Sequence, residues 1–189
     1  MKKLLALVML FAAQPTLAHP GHDVASGAIA GLAHPLTGVD HLIALCCVGA
    51  LLALVSTRVR LAGVVALLAA LASGAGVGLS GVTVPYAEWM IALSVLVSGV
   101  MLVRSGSAQP TLLVGGVALF ALFHGYAHGV ESSGDALAFV AGFLVSSLVI
   151  VTLSTLAARA FVERQALRVA VGAGAGVAGM FLLSILISG

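Results

Sequence analysis

Charge is almost missing from this sequence. Asp, Glu, Lys and Arg make up 7% of its 189 residues, where a soluble domain carries about 25%. Six acids and eight bases cannot give a protein of this size a polar skin, so an ordinary water-soluble domain is excluded. Aromatic residues are also scarce, and no basic patch interleaves with them, which argues against a nucleic-acid partner. No Walker-type glycine loop occurs, so this chain carries no ATPase domain. Cysteine is confined to the neighbours Cys46 and Cys47. Adjacent cysteines sit too close for ordinary disulfide geometry, and no structural disulfide is expected.

What the sequence does hold is hydrocarbon, at 61% of residues. A spanning helix needs about 20 mostly apolar residues. Six segments qualify: 36–56, 61–80, 84–103, 110–130, 135–158 and 167–187. The expected fold is an all-α integral membrane protein, a bundle of six transmembrane helices. Residues 1–18 read as a cleaved N-terminal signal peptide: Lys2 and Lys3, a short apolar run at 4–12, then Thr16, Leu17 and Ala18 at the cleavage positions. A six-helix transmembrane domain then occupies residues 19–189.

Charge placement gives an orientation. A cleaved signal puts the mature start outside the cytoplasm. Counting spans from there, Arg58, Arg60, Arg104, Arg159, Arg164 and Arg168 all fall on the cytoplasmic side, as positive charge does in membrane proteins. Glu88, Glu131 and Asp135 fall on the other side. The expected location is the bacterial inner membrane, with both mature termini in the periplasm. Small residues at four-residue spacing, Gly74 with Gly78 and Gly172 with Gly176, followed by Gly179, mark close helix contacts. Pro35 is a natural break, since proline fits a first helical turn and pushes the residue before it away from helical geometry. Residues 24–33 are then expected at the outer surface or dipping in. The first spanning helix starts near Pro35, with His34 at its cap.

Against this background, two polar stretches stand out. The first is HPLTGVDH, with His34, Asp40 and His41; the second is FHGYAHGVE, with His124, His128 and Glu131. The spacings of four and three place the second set on one helix face. Both stretches fall in the outer third of the bundle, which suggests one site. Ionisable groups inside a membrane are costly and mark function by default. Imidazole suits nickel, zinc, copper and cobalt, and carboxylate adds charge. His34, Asp40, His41, His124, His128 and Glu131 are therefore candidate metal ligands, with either acid also able to orient a histidine. Glu88 is a candidate for funnelling cations, or a solvated charge at a helix start. Cys47 and Met101 read as packing. At the mature start, a terminal amine with the imidazoles of His19 and His22 forms a candidate capture site. No catalytic or organic-cofactor site is expected.

At these residues the sequence resembles the HupE/UreJ family of small membrane proteins. The resemblance rests on HPLTGVDH, on FHGYAHGVE, and on the His19-Pro20-Gly21-His22 start. The family's first motif typically continues into a methionine, where this chain has Leu45 followed by Cys46 and Cys47. The resemblance implies a permease rather than an enzyme, linked to nickel supply for hydrogenase or urease. Its cargo would be a divalent metal ion, nickel first and cobalt second. A haem-binding electron carrier and an intramembrane metal-dependent hydrolase are the alternative readings. The metal reading also sets a pH dependence. Neutral imidazole is the ligand, so uptake should fall as pH drops through about 6. Uptake that rises on acidification would instead favour proton-coupled import.

Overall fold

The computed structural model describes residues 25–104 and 109–188. The signal-peptide segment and the candidate ligands His19 and His22 lie outside the described residues. Among the described residues there are seven α-helices and no strand: α1 (Ala25–Thr37), α2 (Val39–Ala53), α3 (Thr57–Leu79), α4 (Ala87–Val103), α5 (Pro110–Val130), α6 (Ala136–Ala158) and α7 (Gln165–Ser188). Each of the six apolar segments forms a helix. Four of these helices, α3, α5, α6 and α7, are long and apolar enough to cross a membrane. α1 and α2 are long and apolar enough only together, as a pair bent by 76° at a short break, the form of a broken span or of a re-entrant loop. α4 is apolar but has 17 residues, about 25 Å of helix, short of a hydrocarbon core of about 30 Å.

The first crossing differs from the expectation. The helix does not begin at Pro35. α1 contains Pro35 near its last turn and breaks three residues later, at Gly38, whose φ of −82° and ψ of 109° are extended. Proline costs one hydrogen bond, the one its missing N–H would make, and the turn beyond it recovers. Gly38 N donates to the His34 carbonyl at 3.3 Å, and Thr37 Oγ1 donates to the same oxygen at 2.9 Å. His34 therefore sits inside the last turn of α1 rather than capping α2. α1 packs against the rest of the bundle. It runs alongside the first half of α6, where a Cβ at Gly31 would strike the carbonyl of Phe139 and one at Gly142 that of Ala28. α2 continues along the second half of α6. There Thr155 Oγ1 donates to the Gly49 carbonyl at 3.1 Å, shared with that of Val151 at 2.8 Å.

Two further close pairs complete the bundle. Gly74 and Gly78 of α3 face the carbonyls of Leu122 and Tyr126 in α5, and Gly125 and Gly129 of α5 face those of Leu71 and Ala75 in α3. The pair is reciprocal, one small residue per turn on each side. On α4 and α7, Gly99 meets Gly172 and Gly176 in the same way, and Gly179 meets Leu96. Lipid tails leave no hydrophobic force between helices, so backbone approach of this kind supplies the contact energy. Glycine spacing in the sequence found both pairs. It did not show that Gly125 and Gly129 are occupied by a neighbouring helix.

The arginines gather at one end of the bundle: Arg58 and Arg60 open α3, Arg104 and Arg159 cap α4 and α6, and Arg168 lies in the first turn of α7. Arg60 also has a structural task there. Its guanidinium donates to the carbonyls of Leu52 at 2.9 Å and Val55 at 3.0 Å, closing the end of α2. At the opposite end, Asp135 Oδ1 accepts from the backbone N–H of Leu137 at 3.0 Å and Ala138 at 3.1 Å. It is the N-cap of α6, an interaction worth about 1 kcal/mol.

Candidate metal centre

Three chain segments meet near the end of the bundle opposite the arginines. The last turn of α1 supplies His34, the first turn of α2 supplies Asp40 and His41, and the last two turns of α5 supply His124 and His128, with Glu131 as its C-cap. The break at Gly38 lets one bent helix pair present side chains from two helix ends. A Cβ at Gly38 would lie 3.1 Å from His41 Nδ1 and 3.2 Å from Asp40 Oδ1, so glycine is needed there for space rather than for its backbone angles. Broken helices with polar residues at the break are a recurrent way to build ion sites inside membranes.

The structure brings all six predicted residues of the two motifs together. His128 is the hub. Its ring centroid lies 4.8 Å from that of His34 and 4.4 Å from that of His41, and His41 lies 4.9 Å from His124. His34 Nε2 pairs with Glu131 Oε2 at 2.8 Å. The ligand atoms of His34, His128 and Glu131 all lie within 4.8 Å of one another. An ion with bonds of about 2.0–2.2 Å to nitrogen and oxygen could be enclosed by a small inward movement of that trio.

The deeper pair is arranged differently. His41 Nδ1 lies 2.8 Å from Asp40 Oδ1, which also accepts the His41 backbone N–H at 2.8 Å. His124 Nδ1 lies 3.0 Å from the Phe120 carbonyl. A carboxylate and a carbonyl can only accept, so each Nδ1 carries the proton and each Nε2 presents its lone pair. Both Nε2 atoms are buried with no hydrogen-bond partner, as is His128 Nδ1. A buried polar atom left unsatisfied costs about 1–3 kcal/mol. Three such nitrogens in one cluster make a donor set that suits a divalent transition-metal ion.

Asp40 thus orients His41, one of the two roles open to it from sequence. Asp40→Asn should lower nickel affinity about 10- to 100-fold, the usual cost of losing an orienting partner. Asparagine offers an N–H as readily as a carbonyl, so it no longer fixes the His41 tautomer. Equilibrium nickel binding to the purified variant checks this, and an unchanged affinity would remove Asp40 from the site.

Other contacts had no sequence signal. Phe143 of α6 stacks on His128 at 4.6 Å between centroids and 23° between planes, and Phe139 lies 5.4 Å from His34. They wall the site on the side of a helix that contributes no polar residue to it. Tyr126 Oη accepts the Val84 N–H at 3.0 Å and so ties the loop before α4 to α5. That loop borders an outer cavity of about 560 Å³, lined among others by Asp40, His41, Tyr86, Glu88, Tyr126 and Glu131. Glu88, in the first turn of α4, is therefore one of three carboxylates around this vestibule. Cys47 is buried in the core, Cys46 is exposed, and both thiols are free.

A family model described as HupE / UreJ protein matches residues 6–182 of the chain. Protein HupE of Rhizobium leguminosarum bv. viciae is 31% identical to it over 141 residues, which cover 73% of this chain and 74% of that protein. No solved structure is similar to it.

Proposed function

The chain belongs to the HupE/UreJ family, and from that premise we propose that it carries a divalent transition-metal ion, nickel first and cobalt second, across the bacterial inner membrane without ATP. One observation carries the reading. Four histidines and two carboxylates converge at a helix break, and three buried imidazole nitrogens among them have no partner. The six helices α2 to α7 would each cross the bilayer, α1 joining α2 in the first crossing and α4 crossing at the short limit of about 17 residues. The arginine end would face the cytoplasm and the vestibule the periplasm, where residues 19–24 would add the capture imidazoles His19 and His22. The ion would enter among Glu88, Asp40 and Glu131, shed water, and bind first to His34, His128 and Glu131. It would then pass to His41 and His124.

The driving force needs no nucleotide. One charge crossing 100 mV is worth about 2.3 kcal/mol, so a divalent cation gains about 4.6 kcal/mol. At about 1.4 kcal/mol per decade, that is roughly three decades of accumulation. The haem alternative fits poorly. Two axial imidazoles must stand on opposite faces of a porphyrin, and here neighbouring rings touch one another edge to face. Reconstituted vesicles given an inside-negative potassium diffusion potential should accumulate radiolabelled nickel, and collapsing the potential should stop it. Nickel entry that requires ATP, or no entry of nickel, cobalt or zinc, would overturn the proposal.

A further inference from the structure

A second cavity lies on the other side of the histidines. It has a volume of about 300 Å³ and is lined by α2, α3, α4 and α5. His124 lines one end, and Met101 and Leu112, close to the arginine ends of α4 and α5, line the other. From Leu112 to His124 is twelve residues of α5, about 18 Å of helix. Among the described residues no charged side chain lines it, and Ser94 and Ser98 are its only hydroxyls. At about 30 Å³ per water, it has the volume of roughly ten water molecules.

One of the contacts between the two cavities joins two imidazoles. His41 borders the outer cavity and not the inner, while His124 borders the inner and not the outer. Their rings are 4.9 Å apart at 82°, and each Nε2 is buried without a partner. An ion on His41 has one neighbouring ligand that also faces the inner space, and that ligand is His124. Beyond it the walls are hydrocarbon, which suits release, because a conduit must hold its ion weakly enough to let it leave and apolar constrictions gate by excluding water.

We propose that the inner cavity is the release half of the ion's path and that the His41–His124 contact is the gate between the halves. The proposal rests on the transport reading and adds the route. Gly116 provides the test. It lines the cavity, and a Cβ built on it meets nothing within 4 Å; the same holds for its neighbour Gly115, which is exposed and does not line the cavity. Gly116→Leu should therefore fill the cavity without moving a helix, while Gly115→Leu serves as the outward control. Nickel affinity and nickel flux are measured on the same reconstituted preparations. The expected result is parental affinity in both variants, parental flux in Gly115→Leu, and flux at background in Gly116→Leu. As an acute version, Gly116→Cys in a Cys46→Ala/Cys47→Ala chain is modified with a charged methanethiosulfonate from the arginine-end face, which should abolish flux that was present before modification. If Gly116→Leu carries nickel as the parent does, or the modified thiol leaves flux untouched, the cavity is a lipid-chain slot and the proposal fails alone. If the parent carries no metal, the transport reading fails, and this inference fails with it.

Discussion

In the double variant His124→Ala/His128→Ala, nickel uptake is expected to drop to that of membranes without the protein. The two residues stand one helical turn apart on α5, both are nearly fully buried, and they serve the two parts of the site. His128 belongs to the trio with His34 and Glu131, and His124 pairs with His41. Removing both leaves His34 and His41, with centroids 6.4 Å apart and no ring between them. Truncating a buried ring also costs packing, about 3–5 kcal/mol for a phenylalanine-sized group, so the variant is compared at matched membrane levels. His128→Gln keeps the volume and a polar atom. It should lose uptake as well, which a packing role against Phe143 would not predict. Uptake at parental levels in the double variant would dissociate the histidines from transport.

The second large effect is on the fold. Gly125→Leu should remove most folded protein from the membrane, although Gly125 lies between two proposed ligands. Its missing side chain makes room for the backbone of α3 at Leu71, not for an ion. Ordinary overpacking costs about 1–3 kcal/mol because side chains give way. Here the obstacle is a carbonyl in a helix that is itself held at Gly74 and Gly78, so the cost is larger and α3 and α5 must part. Gly76, on α3 but facing open space, is the control: Gly76→Leu should accumulate normally. Thermal unfolding of the detergent-purified variants, followed by circular dichroism, separates them. A Gly125→Leu protein that melts with the parent but fails to bind nickel would instead put the glycine in the ion site.

The legibility of this site in the sequence divides along a physical line. The α5 half was readable because spacings of four and three are a statement of helix geometry, and His124, His128 and Glu131 are gathered at one end of α5 as that geometry requires. The break in the first crossing was misread. Pro35 carries the local signal, but packing against α6 holds α1 straight through it, and the chain yields at Gly38 instead. That moves His34 from a cap into a helix end facing Glu131. The role of Asp40 was also open, since consecutive helical residues ordinarily point apart; only in a first turn does the carboxylate fold back onto its neighbour's N–H and ring. Phe139 and Phe143 lay on an apolar helix with nothing to distinguish them. The inner cavity could not be read at all, because it is an arrangement of four helices rather than a property of any residue.

Nickel K-edge X-ray absorption on the purified, nickel-loaded protein tests the central claim most directly. The expected first shell holds nitrogen and oxygen only, with the outer-shell scattering of at least two imidazoles, and that imidazole signal is lost in His124→Ala/His128→Ala. Sulfur in the first shell would place the ion on a cysteine or methionine instead and contradict this site, as would an imidazole signal that persists unchanged in the double variant.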